Sequence, residues 1–198
     1  SLFFIDHVDN YRIYNSNGYD LGKYAKIFEE EYERVKQEFQ PNFYEEEYVK
    51  YMSSIQVGDT HQGYFSRDKK GNFINCNKLE RGTSDSVDVD AYNLIMKDKE
   101  ALLSLNSNTK GSQIRFIFSH SALKEGWDNP NVFQICTLKN SDNETKKRQE
   151  VGRGMRLCVN QQGERQDEDV LGAAVYDTNI LTIIARERYE NFSKGLQN

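Results

Sequence analysis

Ile114-Arg115-Phe116-Ile117-Phe118-Ser119-His120-Ser121-Ala122-Leu123-Lys124-Glu125-Gly126-Trp127-Asp128-Asn129-Pro130 is the stretch on which the reading of this 198-residue chain turns. Its first five residues are dense in β-branched and aromatic side chains, the composition of a strand. A polar loop follows, closed by the Asp128-Asn129-Pro130 turn signal. A second apolar run, Val132-Phe133-Gln134-Ile135-Cys136-Thr137-Leu138, then begins. Short continuous runs of this kind suit strands covered on both faces, which is how strands of parallel sheets are placed.

Leu2-Phe3-Phe4-Ile5 is a further run of the same kind. A polar stretch rich in Asn, Tyr and Gly reaches to Asp20. Leu21, Tyr24, Ile27, Phe28, Tyr32, Val35 and Phe39 then recur at helical spacing, and Pro41 closes that helix. Its other face carries Glu29, Glu30, Glu31 and Glu33, and Glu45-Glu46-Glu47 lies just beyond; a solvated face accounts for both clusters. Gly63-Tyr64-Phe65-Ser66 and Asn72-Phe73-Ile74 flank Asp68-Lys69-Lys70-Gly71, the pattern of a hairpin. Residues 77–87 read as a loop. Ala91, Leu94, Ile95, Ala101, Leu102 and Leu105 mark a second helix behind Asp88 or Asp90 as N-cap. Residues 143–157 read as helix, Ala173-Ala174-Val175-Tyr176 and Leu181-Thr182-Ile183-Ile184 as strands, and 186–196 as a closing helix. Strands alternating with helices predict an α/β fold with a mostly parallel sheet.

Composition narrows the function classes. Lys and Arg number 26 against 31 Asp and Glu, a net charge of −5, which argues against a chain that binds nucleic acid by itself. The mean hydropathy of −0.82 is low for a domain with a core, yet 12 Tyr and 11 Phe supply the large side chains one needs. No apolar run reaches 18 residues, which excludes a membrane helix, and no secretory leader opens the chain. Cys76, Cys136 and Cys158 are odd in number and lack a C-x-x-C, so they read as reduced thiols of a cytoplasmic protein, not a disulfide frame or a zinc site. The histidines are too few and scattered for a metal centre. Ser1 opens the chain inside an apolar run without a Met, as a piece cut from a larger protein would.

Two segments carry chemistry. The first leaves the 114–118 strand, where Gly126 allows close backbone approach and Asp128 offers a short, fixed acceptor for a hydroxyl; an ordinary strand-to-strand loop is the competing explanation. The second is Arg148-Gln149-Glu150-Val151-Gly152-Arg153-Gly154-Met155-Arg156. On a helix, Gln149, Arg153 and Arg156 share one face. Gly152 and Gly154 each cost about 1 kcal/mol against Ala in a helix interior, so either something approaches the backbone closely or the helix breaks there. Two permanently charged, planar guanidiniums suit a polyphosphate; a solvated basic helix paired with acidic neighbours is the alternative. His120 between two serines is no hydrolase signature, because adjacent residues of an extended segment point to opposite sides and no G-x-S-x-G occurs.

Taken together and in this order, G-x-D after a strand and Q-x-x-G-R-x-x-R resemble motifs V and VI of superfamily 2 helicases. The longer words IRFIFSHSALKEGWDNPNVFQICTL and KKRQEVGRGMRL resemble the restriction (Res) subunit of type III restriction-modification enzymes. So do SLFFIDHVDNYR, as that family's motif IV strand, DTHQGYFSRDKKG, DAYNLIMKDKEALLS and the tail LTIIARERYENFSKGLQ. The resemblance implies a second RecA-like (P-loop NTPase-like) domain over 1–198, with helices on both faces of the sheet and a family-specific insertion around 20–60. It implies that Asp128 contacts the nucleotide ribose and that Gly126 belongs to the same cofactor-binding motif. By the same resemblance, Arg153 and Arg156 reach the γ-phosphate of ATP held on the first RecA-like domain of the same chain, with Gln149 and Gly152 in the same motif. The resemblance also implies that Tyr64, Ser119, His120 and Ser121 face the backbone of double-stranded DNA. The parent it implies is an ATP- and Mg²⁺-dependent type III site-specific deoxyribonuclease with a methyltransferase (modification) subunit as partner.

Other expected parts of such an enzyme are absent from this stretch. No G-x-x-x-x-G-K-[ST] phosphate loop occurs, nor a D-E-x-H type motif. Both prolines, Pro41 and Pro130, precede Asn, so the family's Pro-Asp nuclease motif is missing too. The chain by itself is therefore expected to bind neither ATP nor Mg²⁺ and to be inactive. Another superfamily 2 DNA or RNA helicase, or a non-catalytic docking scaffold, stays open as an alternative, although keeping Asp128, Arg153 and Arg156 together argues against a scaffold.

Overall fold

The computed structural model describes residues 1–39, 46–68, 70–75, 114–120, 129–139, 144–160 and 162–185. The chain enters as β1 (Leu2–Phe4), turns through a 3-10 segment at Val8–Asn10, and doubles back as a hairpin of β2 (Arg12–Asn15) and β3 (Gly18–Leu21). Helix α1 (Lys23–Glu38) follows, then α2 (Glu46–Ser54) and the single turn α3 (Val57–Thr60), which leads into β4 (His61–Tyr64). A small hairpin pairs β5 (Ser66–Arg67) with β6 (Phe73–Ile74). Beyond it come β7 (Phe116–Ser119), β8 (Gln134–Thr137), α4 (Glu144–Gly152), α5 (Glu168–Leu171), a 3-10 segment at Gly172–Tyr176, and β9 (Thr182–Ala185).

Five of these strands form one sheet in the order β4-β7-β1-β8-β9, and every pairing in it is parallel. The first apolar run lies at its centre, which is why Leu2 and Phe4 are buried and the run tolerates no polar residue. Side chains alternate across the sheet. Leu2, Ile117 and Ile135 share a row and pack with Phe4, Val132 and Leu181 on one face. Phe3 and Phe118 stack at 4.7 Å on the other, joined by Ile5, Tyr11 and Phe65. Burying a side chain such as Ile135 or Phe4 stabilises the fold by about 1.5–3 kcal/mol relative to leaving it in water.

Helices cover both faces. α1 sets Phe28 against Phe116 (4.8 Å) and Phe118 (5.7 Å), while Ile27 and Val35 of the predicted stripe stay exposed. α4 closes over the opposite face, where its Glu150 meets Lys139 above the Phe4 ring. The result is the RecA-like α/β sheet that the sequence implied. Tyr11, from the turn after β1, lies over β4 and excludes any side chain there: a Cβ on Gly63 would collide with its ring and come within 2.7 Å of Phe65.

Several elements differ from the expectation. The stretch before Asp20 is not simply polar loop but holds the β2–β3 hairpin, so Leu21 ends a strand and α1 starts at Lys23. Gly63 and Tyr64 belong to the parallel sheet, which leaves only two pairs, Ser66 with Ile74 and Arg67 with Phe73, to the expected hairpin. Ala173-Ala174-Val175-Tyr176 is a 3-10 turn and not a strand. The helix expected over 143–157 ends at Gly152. The expected loop at 77–87 and helices at 88–105 and 186–196 lie outside the described residues. No described helix is long and apolar enough to cross a membrane.

Candidate functional site

Because all five strands run the same way, the sheet has one amino edge and one carboxyl edge, and the sequence-predicted residues divide between them. Tyr64 ends β4 and Ser119 ends β7; they are register partners, and Phe4 of β1 and Thr137 of β8 complete the row. His120 follows directly. Tyr64 and His120 are half-buried, whereas Ser119 is only 3% exposed, so it builds this edge more than it presents a hydroxyl. Its carbonyl accepts the Ile5 amide at 2.8 Å. Ser121, Gly126, Trp127 and Asp128 lie outside the described residues.

The amino edge collects the second segment. α4 begins beyond the end of β8 and returns along the sheet, and its last residue is Gly152. Arg153 and Gly154 then form a turn, closed by Arg153 N–H to the Glu150 carbonyl (3.3 Å) and Gly154 N–H to the Val151 carbonyl (2.9 Å). Gln149 therefore stays on the helix, but Arg153 and Arg156 do not, and the single helical face expected for all three is not formed. The two glycines resolve separately: Gly152 ends the helix in open space, and Gly154 is closely approached, by the protein itself. A Cβ there would lie 2.5 Å from Leu181 Cδ1 and 3.2 Å from Ile135 Cδ1. This seats the turn against Ile135 of β8 and against Leu181, the residue before β9. Arg153 is half-buried and Arg156 exposed.

Asparagines tie the two sequence-predicted segments together at this edge. Asn129, the residue after Asp128, accepts the Asn131 amide through Oδ1 at 2.9 Å. Asn131 in turn accepts the Val159 amide through its own Oδ1 at 3.0 Å. Val159 stands three residues beyond Arg156, and Asn131 three beyond Asp128. Nearby, Asn179 Nδ2 donates to Cys158 Sγ at 2.9 Å; Cys136 and Cys158 are both free thiols, as expected, and Cys76 is not among the described residues. Between these strands opens a cleft of about 510 Å³, lined by Arg115, Asn129, Asn131, Gln134, Asn160 and Gln166 among others. Its lining is rich in amides, which can donate and accept without carrying charge.

Other polar residues were not legible as partners. His61 Nε2 meets Glu29 Oε1 at 3.0 Å and His61 Nδ1 meets the Tyr11 hydroxyl at 3.1 Å. Glu29 thus leaves the solvated face to which its neighbours Glu30 and Glu31 belong. Lys139 and Glu150 form a buried ion pair that no spacing rule signals, since they sit on different elements.

No family model matches the chain. It is 42% identical over 167 residues to the Res subunit of the type III restriction-modification enzyme EcoP15I of Escherichia coli, an alignment covering 81% of this chain and 15% of that protein. It is 42% identical over 170 residues to the EcoPI Res subunit of Escherichia phage P1, with the same coverage. The StyLTI Res subunit of Salmonella typhimurium is 34% identical over 179 residues, 85% of this chain and 17% of that protein. The chain thus spans about 15% of the length of the curated relatives it matches.

Proposed function

As a chain homologous to one segment of the Res subunits of type III restriction-modification enzymes, this protein is, we propose, the second RecA-like domain of the ATP-driven DNA motor in such a subunit. The observation that carries the reading is the Asn131–Val159 hydrogen bond. It joins the segment behind Asp128 to the segment behind Arg156 at the amino edge of the sheet. A nucleotide held on the first RecA-like domain then meets both segments at once, the ribose at Asp128 and the γ-phosphate at Arg153 and Arg156, with Gly126, Gln149 and Gly152 in the same motifs. DNA passes the opposite edge, past Tyr64, His120 and Ser121, with Ser119 supporting that edge from within.

The chemistry asked of this chain is electrostatic. Guanidinium groups stay protonated at any physiological pH and offer paired N–H donors to phosphate oxygens. They stabilise charge that develops on the phosphoryl group during transfer, an effect of about 10³–10⁵ in rate for arginines acting this way in related NTPases. Mg²⁺ bound with the nucleotide neutralises the β- and γ-phosphates. This chain's part in that neutralisation is cationic, through its arginines. In the whole protein the motor serves site-specific cleavage of double-stranded DNA, with a methyltransferase subunit choosing the site.

Arg153→Ala and Arg156→Ala, each made in the full-length protein, should lower ATP turnover by roughly 10³–10⁵ while leaving the melting temperature in place, because neither side chain fills the core. Near-normal turnover in either variant would remove that residue from the γ-phosphate.

A further inference from the structure

We infer that Lys139 is a positioning residue that couples the DNA-facing edge of the sheet to the turn carrying Arg153. The inference rests on the domain reading above. Lys139 lies two residues past the end of β8, at the carboxyl edge. Its Nζ makes three contacts at once: 2.6 Å to Glu150 Oε1, 3.1 Å to the His120 carbonyl, and 5.2 Å to the centre of the Phe4 ring. The Lys139 side chain is 12% exposed and that of Glu150 is fully buried.

Each contact leads to a different part of the machinery. His120 belongs to the segment leaving β7 on the DNA side. Phe4 is the central strand, which gives the ammonium a fixed, apolar seat. Glu150 sits on α4, and its main-chain carbonyl accepts the Arg153 amide. A movement of the His120 backbone on meeting a DNA phosphate therefore draws on the Lys139 ammonium. The ion pair carries it to Glu150, and the carbonyl of Glu150 carries it to Arg153.

Stability gives little reason for such a pair. Desolvating two charges offsets most of their attraction, and replacing a buried pair by apolar residues of like size is often neutral or stabilising. What the pair does supply is a short charged link, 2.6 Å long, between the segment after β8 and α4.

The experiment measures ATP turnover of the full-length protein with and without duplex DNA. Lys139→Met by itself strips the buried Glu150 of this cation and can unfold the domain, so the informative variant is Lys139→Met with Glu150→Met, which removes both charges. It should keep the wild-type melting temperature and DNA-independent turnover, and lose DNA stimulation by roughly 5- to 150-fold, the range of ordinary coupling between sites. Lys139→Arg, still able to reach carboxylate and carbonyl, should keep the stimulation. Wild-type stimulation in the double variant would overturn the inference, as would equal loss of basal and stimulated turnover or a lowered melting temperature, either of which marks the pair as structural. Arg153→Ala and Arg156→Ala separate the two levels. If they abolish turnover while the double variant behaves as wild type, only the coupling fails; if they leave turnover intact, the domain reading fails first.

Discussion

Single residues decide where the arginines stand. Gly154 is a point of close approach, because the turn carrying Arg153 rests directly on Leu181 and Ile135. Gly154→Val should destabilise the full-length protein by about 1–3 kcal/mol, the usual cost of overpacking, and lower turnover further than that loss of folded protein accounts for, since the turn must move off the sheet. Thermal melting read beside ATP turnover checks this; a variant as stable and active as the parent would contradict the packing. Tyr11 makes a second test at this scale. Burial pushes its phenol well above the ordinary tyrosine range, with Arg12 nearby opposing the shift. The folded state therefore holds the proton longer than the unfolded one. The stabilisation is complete below the unfolded value of about 10 and is lost as pH rises through the folded value. Tyr11→Phe should flatten that alkaline loss, at a cost of about 1–3 kcal/mol at neutral pH for the partner left at His61 Nδ1. Denaturant titrations above and below pH 10 compare the two proteins, and identical slopes would contradict the assignment.

Secondary-structure elements show how far the amino-acid sequence carries. The runs at 2–5, 114–118 and 132–138 were legible as strands because apolar residues dominate them, with Arg115, Gln134 and Thr137 the polar exceptions. The Leu181-Thr182-Ile183-Ile184 run was legible too, though its strand lies at the edge and stays largely exposed. Ala173-Ala174-Val175-Tyr176 misled because four apolar residues carry no period. Their 3-10 turn follows α5, which Asp167 caps by accepting the Val170 amide, and Gly172 with its φ of 56°. The β2–β3 hairpin escaped because its strands alternate weakly and face solvent, with Tyr14 and Tyr19 paired across it at 6.2 Å. At the site, residue types and order were readable, but not the edge to which each segment belongs. The expectation of one helical face for Gln149, Arg153 and Arg156 failed because Gly152 stops α4. Lys139 was invisible for a different reason: its meaning lies in three partners on three elements, and none is at a regular spacing from it.

At the scale of the whole molecule, the proposed function asks the parallel sheet to keep two tasks apart yet connected. On the proposed reading, nucleotide meets the edge where strands begin and DNA the edge where they end. α4, running between the edges, links them. The chain carries a net charge of −5, so it can neutralise few DNA phosphates and gains little from counterion release. The isolated 198-residue chain should accordingly show no ATP turnover and bind duplex DNA weakly, with little sequence preference, in a salt titration. Tight, selective binding at physiological salt would mean that this chain reads DNA by itself. The central claim is the division between edges, and amide hydrogen exchange on the full-length protein tests it most directly. A non-hydrolysable ATP analogue with Mg²⁺ should slow exchange at 129–134 and 153–160 and leave 61–66 and 116–120 as they were, while duplex DNA should do the reverse. Protection of the carboxyl edge by the nucleotide, or of the Arg153 turn by DNA alone, would contradict it.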